Sequence, residues 1–147
     1  MSIKIKKCIN GETREDMLIS VAMHVSDVQK GCAFIANKII EAGINHDYTK
    51  VSLLDDMMET MTAKSAAEFY ESKWYQAHIT KERHHLNRCP DDVTLIDVIE
   101  QLIDCTMAAI ARKGDISDFS LDNEILQKAY KNTGEMLKRE IILEDDK

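Results

Sequence analysis

The chain carries five histidines, His24, His46, His78, His84 and His85, and four of them stand in polar stretches. His46 is followed by Asp47, His78 closes a helical pattern, and His84-His85 sit in the polar segment after it. Imidazole and carboxylate together suit a divalent transition metal. Successive side chains on a helix point about 100° apart, so His46 and Asp47 can share one ion lying in the wedge between them. Asp104 lies in the run Leu102-Ile103-Asp104-Cys105-Thr106-Met107, a carboxylate among apolar neighbours. Buried without a partner it would be costly, and a cation, whether a metal or a Lys or Arg, removes the problem. Lys50, three residues after Asp47, is a flexible point charge of the kind that meets a phosphoryl oxygen. His24, between Met23 and Val25, is a further candidate ligand. Each feature is weak alone, because a lone helical His is more often a hydrogen-bonded core residue.

Helices must position these groups. The residues 1–12 alternate weakly (Ile3, Ile5) and end at Asn10-Gly11, which predicts a short strand or arm closed by a turn. Thr13 to Asp16 resembles a capping box, and Met17, Val21, His24, Val28, Ile35 and Ile39 then follow helical spacing. Gly43 is the expected stop and Gly31 an expected weak point. A second helix is expected from Ser52 to Met61 and a third from Ala63 to His78. A polar loop from Ile79 to Asp92 holds His84, His85, Asn87 and the single proline. A fourth helix runs from a capping-box-like Thr94 to Asp97 start to Gly114. A last one begins after Ser120, is open to interruption at Gly134, and carries Leu137, Ile141 and Leu143 on its apolar face. The acidic end, Glu144 to Asp146, is expected to fray.

The 147 residues fit one all-α domain, a compact bundle of about five to six helices spanning 1–147. With 44% apolar and 31% charged residues the chain reads as globular. One proline and five glycines leave little turn material for an all-β fold. A net charge of −7 argues against binding duplex nucleic acid through its backbone, although an anionic small substrate stays possible where a metal supplies positive charge. The four cysteines, Cys8, Cys32, Cys89 and Cys105, form no CxxC pair and read as reduced core residues of a cytoplasmic protein. No membrane-length apolar run or signal peptide is visible.

Taken in order, His24, then His46-Asp47, then Asp104 resembles the H…HD…D signature of the HD-domain superfamily of metal-dependent phosphohydrolases, over roughly residues 17–113. That resemblance implies an all-α domain in which these four side chains hold a metal between helices. His46-Asp47-x-x-Lys50 is similar to the HDxxK pattern of some phosphodiesterases, with the Lys reaching the substrate phosphate. Trp74, His78, His84 and His85 also resemble the W…H…HH stretch of a small uncharacterised HD-like family. In the two-metal branch, extra histidines complete a second site, a role open here to His78 with His84 or His85. No Gly-Tyr-Pro follows His-His, so the cyclic-dinucleotide branch is not supported.

The expected activity is hydrolysis of a nucleotide or related phosphate ester by one or two divalent ions (Mn, Fe, Co, Ni, Zn or Mg). Asp47 would act at the metal, Lys50 on phosphoryl oxygens, and His84 or His85 as general acid. Lys50, Asn87 and Trp74 are the candidate substrate contacts, Trp74 in an aromatic group with Tyr70 and Tyr75. Asp97 and Glu100 share a helix face with Asp104 and are candidates to hold a ligating His. The alternatives are an HD-fold di-iron oxygenase and a non-catalytic metal- or nucleotide-binding regulator. Many small HD proteins pair through helices, so the resemblance leaves a homodimer open, and the sequence itself does not give the oligomeric state.

Overall fold

The computed structural model describes residues 2–9, 11–62, 65–88, 91–115 and 119–144. Outside the described residues lie Asn10 of the expected turn, Ala63 at the expected third-helix start, Cys89 and Pro90 of the loop, and Asp145 and Asp146 of the acidic end. The fold is all-α with one small sheet. In chain order it comprises β1 (Ile3–Lys6), α1 (Arg14–Asn45), α2 (Tyr48–Ser52), α3 (Leu54–Thr60), α4 (Ala66–Glu71), α5 (Lys73–Lys81), α6 (Leu95–Lys113), α7 (Asn123–Glu140) and β2 (Ile141–Glu144). Among the described residues no helix is long and apolar enough to cross a membrane.

Local signals set the helix starts. Thr13 Oγ1 accepts from the Asp16 amide at 3.1 Å while Asp16 Oδ2 accepts from the Thr13 amide at 3.3 Å, the reciprocal box that opens α1. At α6, Asp97 Oδ2 accepts from both the amide (2.7 Å) and the hydroxyl (2.8 Å) of Thr94. Gly114, at φ 71°, ends α6 in the left-handed turn expected of it.

Several elements depart from expectation. α1 runs through Gly31 and past Gly43 to Asn45. A glycine stops a helix only where the chain turns left-handed, and here that turn falls four residues later, at Asp47. The second helical stretch breaks at Leu53 and the third at Ser72, whose extended backbone ends α4 and opens α5. α5 continues to Lys81, so Ile79 is helical and the irregular segment begins at Glu82. α7 passes through Gly134 without interruption. Ile141 and Leu143 are not on its apolar face but form β2, which pairs in parallel with β1 from Ile3↔Ile141 to Lys6↔Glu144. Cys8, Cys32 and Cys105 are exposed free thiols rather than core residues.

The core lies where the 82–93 segment meets α6 and α7. Leu86, Val93 and Ala129 are buried there, with Leu95, Val98, Leu121 and Ile125 packed around them. Thr133 of α7 accepts from the Leu95 amide at 2.8 Å, satisfying one otherwise unpaired donor of the first turn of α6. Asn132 Nδ2 donates to the Val93 carbonyl at 2.8 Å. α7 therefore clamps the start of α6 and the segment leading into it.

Candidate metal centre

Four parts of the chain converge on one cluster. They are the end of α1 with His46, the turn into α2 with Asp47, Thr49 and Lys50, α5 and its exit with His78, Glu82, His84 and His85, and α6 with Glu100 and Asp104. The imidazoles form a continuous group, with ring centroids 4.4 Å apart for His46–His84, 4.5 Å for His84–His85 and 4.4 Å for His78–His85. Asp47 sits at φ 58°, ψ 23°, the only described non-glycine residue with positive φ. An L-residue held there costs about 1 kcal/mol or more, tolerated where the surroundings fix it. The turn aims the carboxylate of Asp47 back among the rings.

Two sets of three ligand atoms, each within 4.8 Å of one another, are present among the described residues. One is His78, His84 and His85, the other His46, His84 and Asp104. Asp47 lies against both. Its Oδ1 is 3.6 Å from His78 Nδ1 and 3.8 Å from His84 Nε2, and its Oδ2 is 3.6 Å from His46 Nε2. Asp104 Oδ1 is 3.5 Å from His46 Nε2. These separations are too long for hydrogen bonds. Two ligand atoms each about 2.1 Å from one ion at a tetrahedral angle stand about 3.4 Å apart. The His78 Nε2–His85 Nε2 separation of 2.8 Å is shorter and would have to open slightly for both to bind one ion.

The far sides of the rings are anchored. His46 Nδ1 donates to Glu100 Oε1 at 2.9 Å, which leaves Nε2 turned to the cluster. Thr49 Oγ1 donates to Glu82 at 2.6 Å, so its contact of 3.1 Å with His78 Nδ1 is as acceptor, which leaves the lone pair of His78 Nε2 to accept from His85 Nε2 at 2.8 Å. A carboxylate holding the outer nitrogen of an imidazole is the usual support of a ligating His. Three buried side-chain atoms among the described residues lack a hydrogen bond: Asp47 Oδ1 and His84 Nδ1 within the cluster, and Trp74 Nε1 behind it. His84 Nδ1 is 3.3 Å from Glu100 Oε1, near enough for charge attraction but not aligned for a hydrogen bond. Orphaned buried polar atoms are costly, and a cation among them removes that cost. The donor set and the orphaned oxygen both fit a divalent ion.

The electrostatics agree. Burial pushes the Asp47 carboxyl up, but Lys50, His46 and His78 outweigh it and hold it below the ordinary carboxylate range. Burial, with neighbouring His85 and Lys50, drives His78 down to about 4, and burial with His84 lowers His85. Both rings are thereby kept neutral, the form that ligates. Burial opposes protonation of His84, yet Glu100, Asp104 and Asp47 win and raise it. That rise marks a surplus of negative charge around a buried ring.

Of the residues singled out in the sequence, His46, Asp47, Lys50, His78, His84, His85 and Asp104 come together. His24 does not. It is exposed on α1, the same unbroken helix that ends beside His46, and 21 residues at 1.5 Å each put it about 30 Å away. His24→Ala is expected to leave metal affinity within about twofold of wild type by calorimetric titration, whereas His46→Ala weakens it at least tenfold. Lys50 pairs with Asp47 Oδ2. Trp74 is 4% exposed and packs its ring behind His78, 5.9 Å between centroids, so it backs the cluster rather than opening to solvent. Asn87 is exposed and belongs to neither ligand set. Glu100 holds a His as anticipated, whereas Asp97 is taken up by Arg83 and the α6 cap. Thr49 and Glu82 carried no sequence signal, since Glu82 sits in the charged run Lys81-Glu82-Arg83 that reads as surface. Both are buried.

Set beside known proteins, the chain matches no family model, no curated protein and no solved structure. Fold and site together define an all-helical protein in which groups of His and Asp can hold a metal ion.

Proposed function

We propose that the chain is a metal-dependent phosphohydrolase of the HD type, acting on a nucleotide or related phosphate ester. The observation that carries this reading is the Asp47 carboxylate, whose buried Oδ1 lacks a hydrogen bond and lies 3.8 Å from His84 Nε2, while its Oδ2 lies 3.6 Å from His46 Nε2 and meets the Lys50 ammonium. His46, Asp47, His84 and Asp104 are the principal ligands, and His78, His84 and His85 form an alternative position, since the lone pair of one imidazole nitrogen serves one ion. With His24 remote, the resemblance to the HD signature rests on His46-Asp47, Lys50 and Asp104, and His84 supplies the further imidazole.

A divalent cation, when bound, supplies Lewis acidity to phosphoryl oxygens and acidifies a water. The chain's own groups do the rest. Lys50, tethered by Asp47, offsets charge on a non-bridging oxygen. His85, with the ion in the position held by His46, Asp47, His84 and Asp104, protonates the leaving alkoxide, and it keeps an edge to solvent through which to regain its proton. Glu100 and the Thr49–Glu82 pair fix His46 and His78 in the ligating tautomer.

Elemental analysis of chelator-stripped and Mn-reconstituted protein, run beside a Mn-dependent phosphate-release screen over nucleotides, tests this reading. Stoichiometric metal with turnover is expected. Metal bound without turnover moves the protein to a regulatory role, and a coloured iron-loaded protein moves it to oxygen chemistry. A folded protein that takes up no metal ends the proposal.

A further inference from the structure

An apolar cleft runs along α6. Val98, Leu102 and Ala109 of that helix form one wall, and Phe119 and Leu121, in the stretch before α7, form the other. Val98 and Leu121 also pack on the core, so the floor is fixed. The cleft holds about 570 Å³, within the roughly 300–1,000 Å³ of small-molecule sites. From Val98 to Lys113 the lining follows α6 for about 22 Å, at about 1.5 Å per residue. That shape is a slot, long enough for an extended hydrocarbon chain.

The charges at the slot are of one sign. The chain carries 26 acidic against 19 basic residues, yet the ionisable groups lining the slot are Arg112, Lys113 and the Cys105 thiol, with no carboxylate. Arg112 and Lys113 stand together in the last turn of α6, and neither has an ion pair among the described residues. The larger groove between β1 and α1 is apolar too, but there Asp27 and Glu144 neutralise Lys30 and Lys4. Cations in the last turn of a helix also suit its dipole, but the dipole leaves an acid-free apolar slot unexplained. Apolar walls with an unpaired cationic end complement one chemistry, a hydrocarbon chain that ends in an anion.

We propose that this slot binds one medium- or long-chain carboxylate, its chain between Leu102 and Phe119 and its carboxylate on Arg112 and Lys113. Burial of the chain supplies affinity. The guanidinium and ammonium fix which way round the chain lies. Walls on both sides admit a single chain and not the face of a bilayer. Cys105, in the slot, is about 100° round α6 from Asp104, so the carboxylate and the metal occupy different faces of the helix. The inference does not depend on the proposed activity.

Calorimetric titration of the full chain with decanoate, dodecanoate and dodecanol, each below its micelle or solubility limit, tests this. A fully buried methylene favours binding about fourfold, so two more in this open slot should make dodecanoate bind about tenfold more tightly than decanoate. Dodecanol, which lacks the anion, should bind at least about tenfold more weakly than dodecanoate. Arg112→Gln/Lys113→Gln should erase that difference, and Ala109→Trp, which fills the slot, should weaken both ligands. Both variants should retain Mn binding. Dodecanoate should also slow maleimide labelling of Cys105, read by peptide mass, and leave the exposed Cys8 and Cys32 unaffected. The wild-type readings decide the matter even if neither variant folds. Equal affinity for dodecanol and dodecanoate, protection spread alike over Cys8, Cys32 and Cys105, or Cys105 already shielded without ligand overturns the proposal. Co-sedimentation with phosphatidylglycerol vesicles in place of binding to monomeric dodecanoate overturns it too.

Discussion

Asp47→Asn is expected to weaken metal binding at least about 100-fold and to remove metal-dependent turnover, while the metal-free protein keeps its helicity. Asparagine tolerates the left-handed backbone at φ 58° nearly as well as aspartate, so the exchange tests charge rather than conformation. Alanine would add strain of about 1 kcal/mol and confuse the two. Asp47 is the one carboxylate that lies against both ligand sets, 3.6 Å from His46 through Oδ2 and 3.6–3.8 Å from His78 and His84 through Oδ1. Its loss leaves one set with imidazoles alone and the other with two imidazoles and Asp104, a much poorer match for a hard divalent ion. Supporting groups around a metal commonly contribute 10–100-fold in affinity, and a shared ligand contributes more.

The same substitution has a thermal readout. At a metal concentration about 100 times the dissociation constant, wild type gains about 2.7 kcal/mol. For a domain of this size that is a rise in Tm of about 8 °C. Asp47→Asn should show none of it. A variant that retains the shift would remove Asp47 from the site, and with it the observation on which the proposed function rests.

How much of this was legible in the sequence depends on how local each cause is. Both ends of α6 could be read because Thr94, Asp97 and Gly114 act within one turn of the helix. The start of α1 was legible for the same reason. Its end was not, because the stop comes from an aspartate in a glycine-like conformation rather than from Gly43. β2 was hidden because Ile141 and Leu143 suit a helix as well as a strand, and only pairing with β1 more than 130 residues away decides between them. Residue type identified His46, Asp47, His78, His84, His85 and Asp104 as candidates, and the fold assembles them. His24 had the same credentials, but whether a helix bends back between two histidines is not written in their identities. Thr49 and Glu82 were invisible because their role is to hold a ring that another residue type announces.

The second large effect is expected at a residue that belongs to neither ligand set. Arg83 donates from Nε and Nη2 to the two carboxylate oxygens of Asp97, at 2.7 and 2.9 Å, and from Nη2 to the Asp92 carbonyl at 3.1 Å. The Asp97 side chain is 4% exposed and simultaneously caps α6 through Thr94. Arg83→Met keeps the stem but leaves this buried carboxylate without its guanidinium. Breaking a fully buried pair costs about 3–5 kcal/mol, and the partial exposure of Arg83 reduces that to about 2–3 kcal/mol here. Tm should fall by about 8 °C. Arg83→Lys should recover little, since an ammonium cannot reproduce the planar fork. Asp92→Ala, which removes only an exposed partner, should stay within about 0.5 kcal/mol of wild type. Because Arg83 immediately precedes His84 and His85, loosening its hold on α6 frees the segment that sets His84 against Glu100 and His85 against His78. Metal affinity should therefore drop about tenfold in Arg83→Met although Arg83 touches no ligand. Denaturant unfolding and Mn titration on the same sample separate the two effects. Stability lost with affinity intact would show that the histidine segment is held by Leu86 and Val93 in the core, and not by the guanidinium fork.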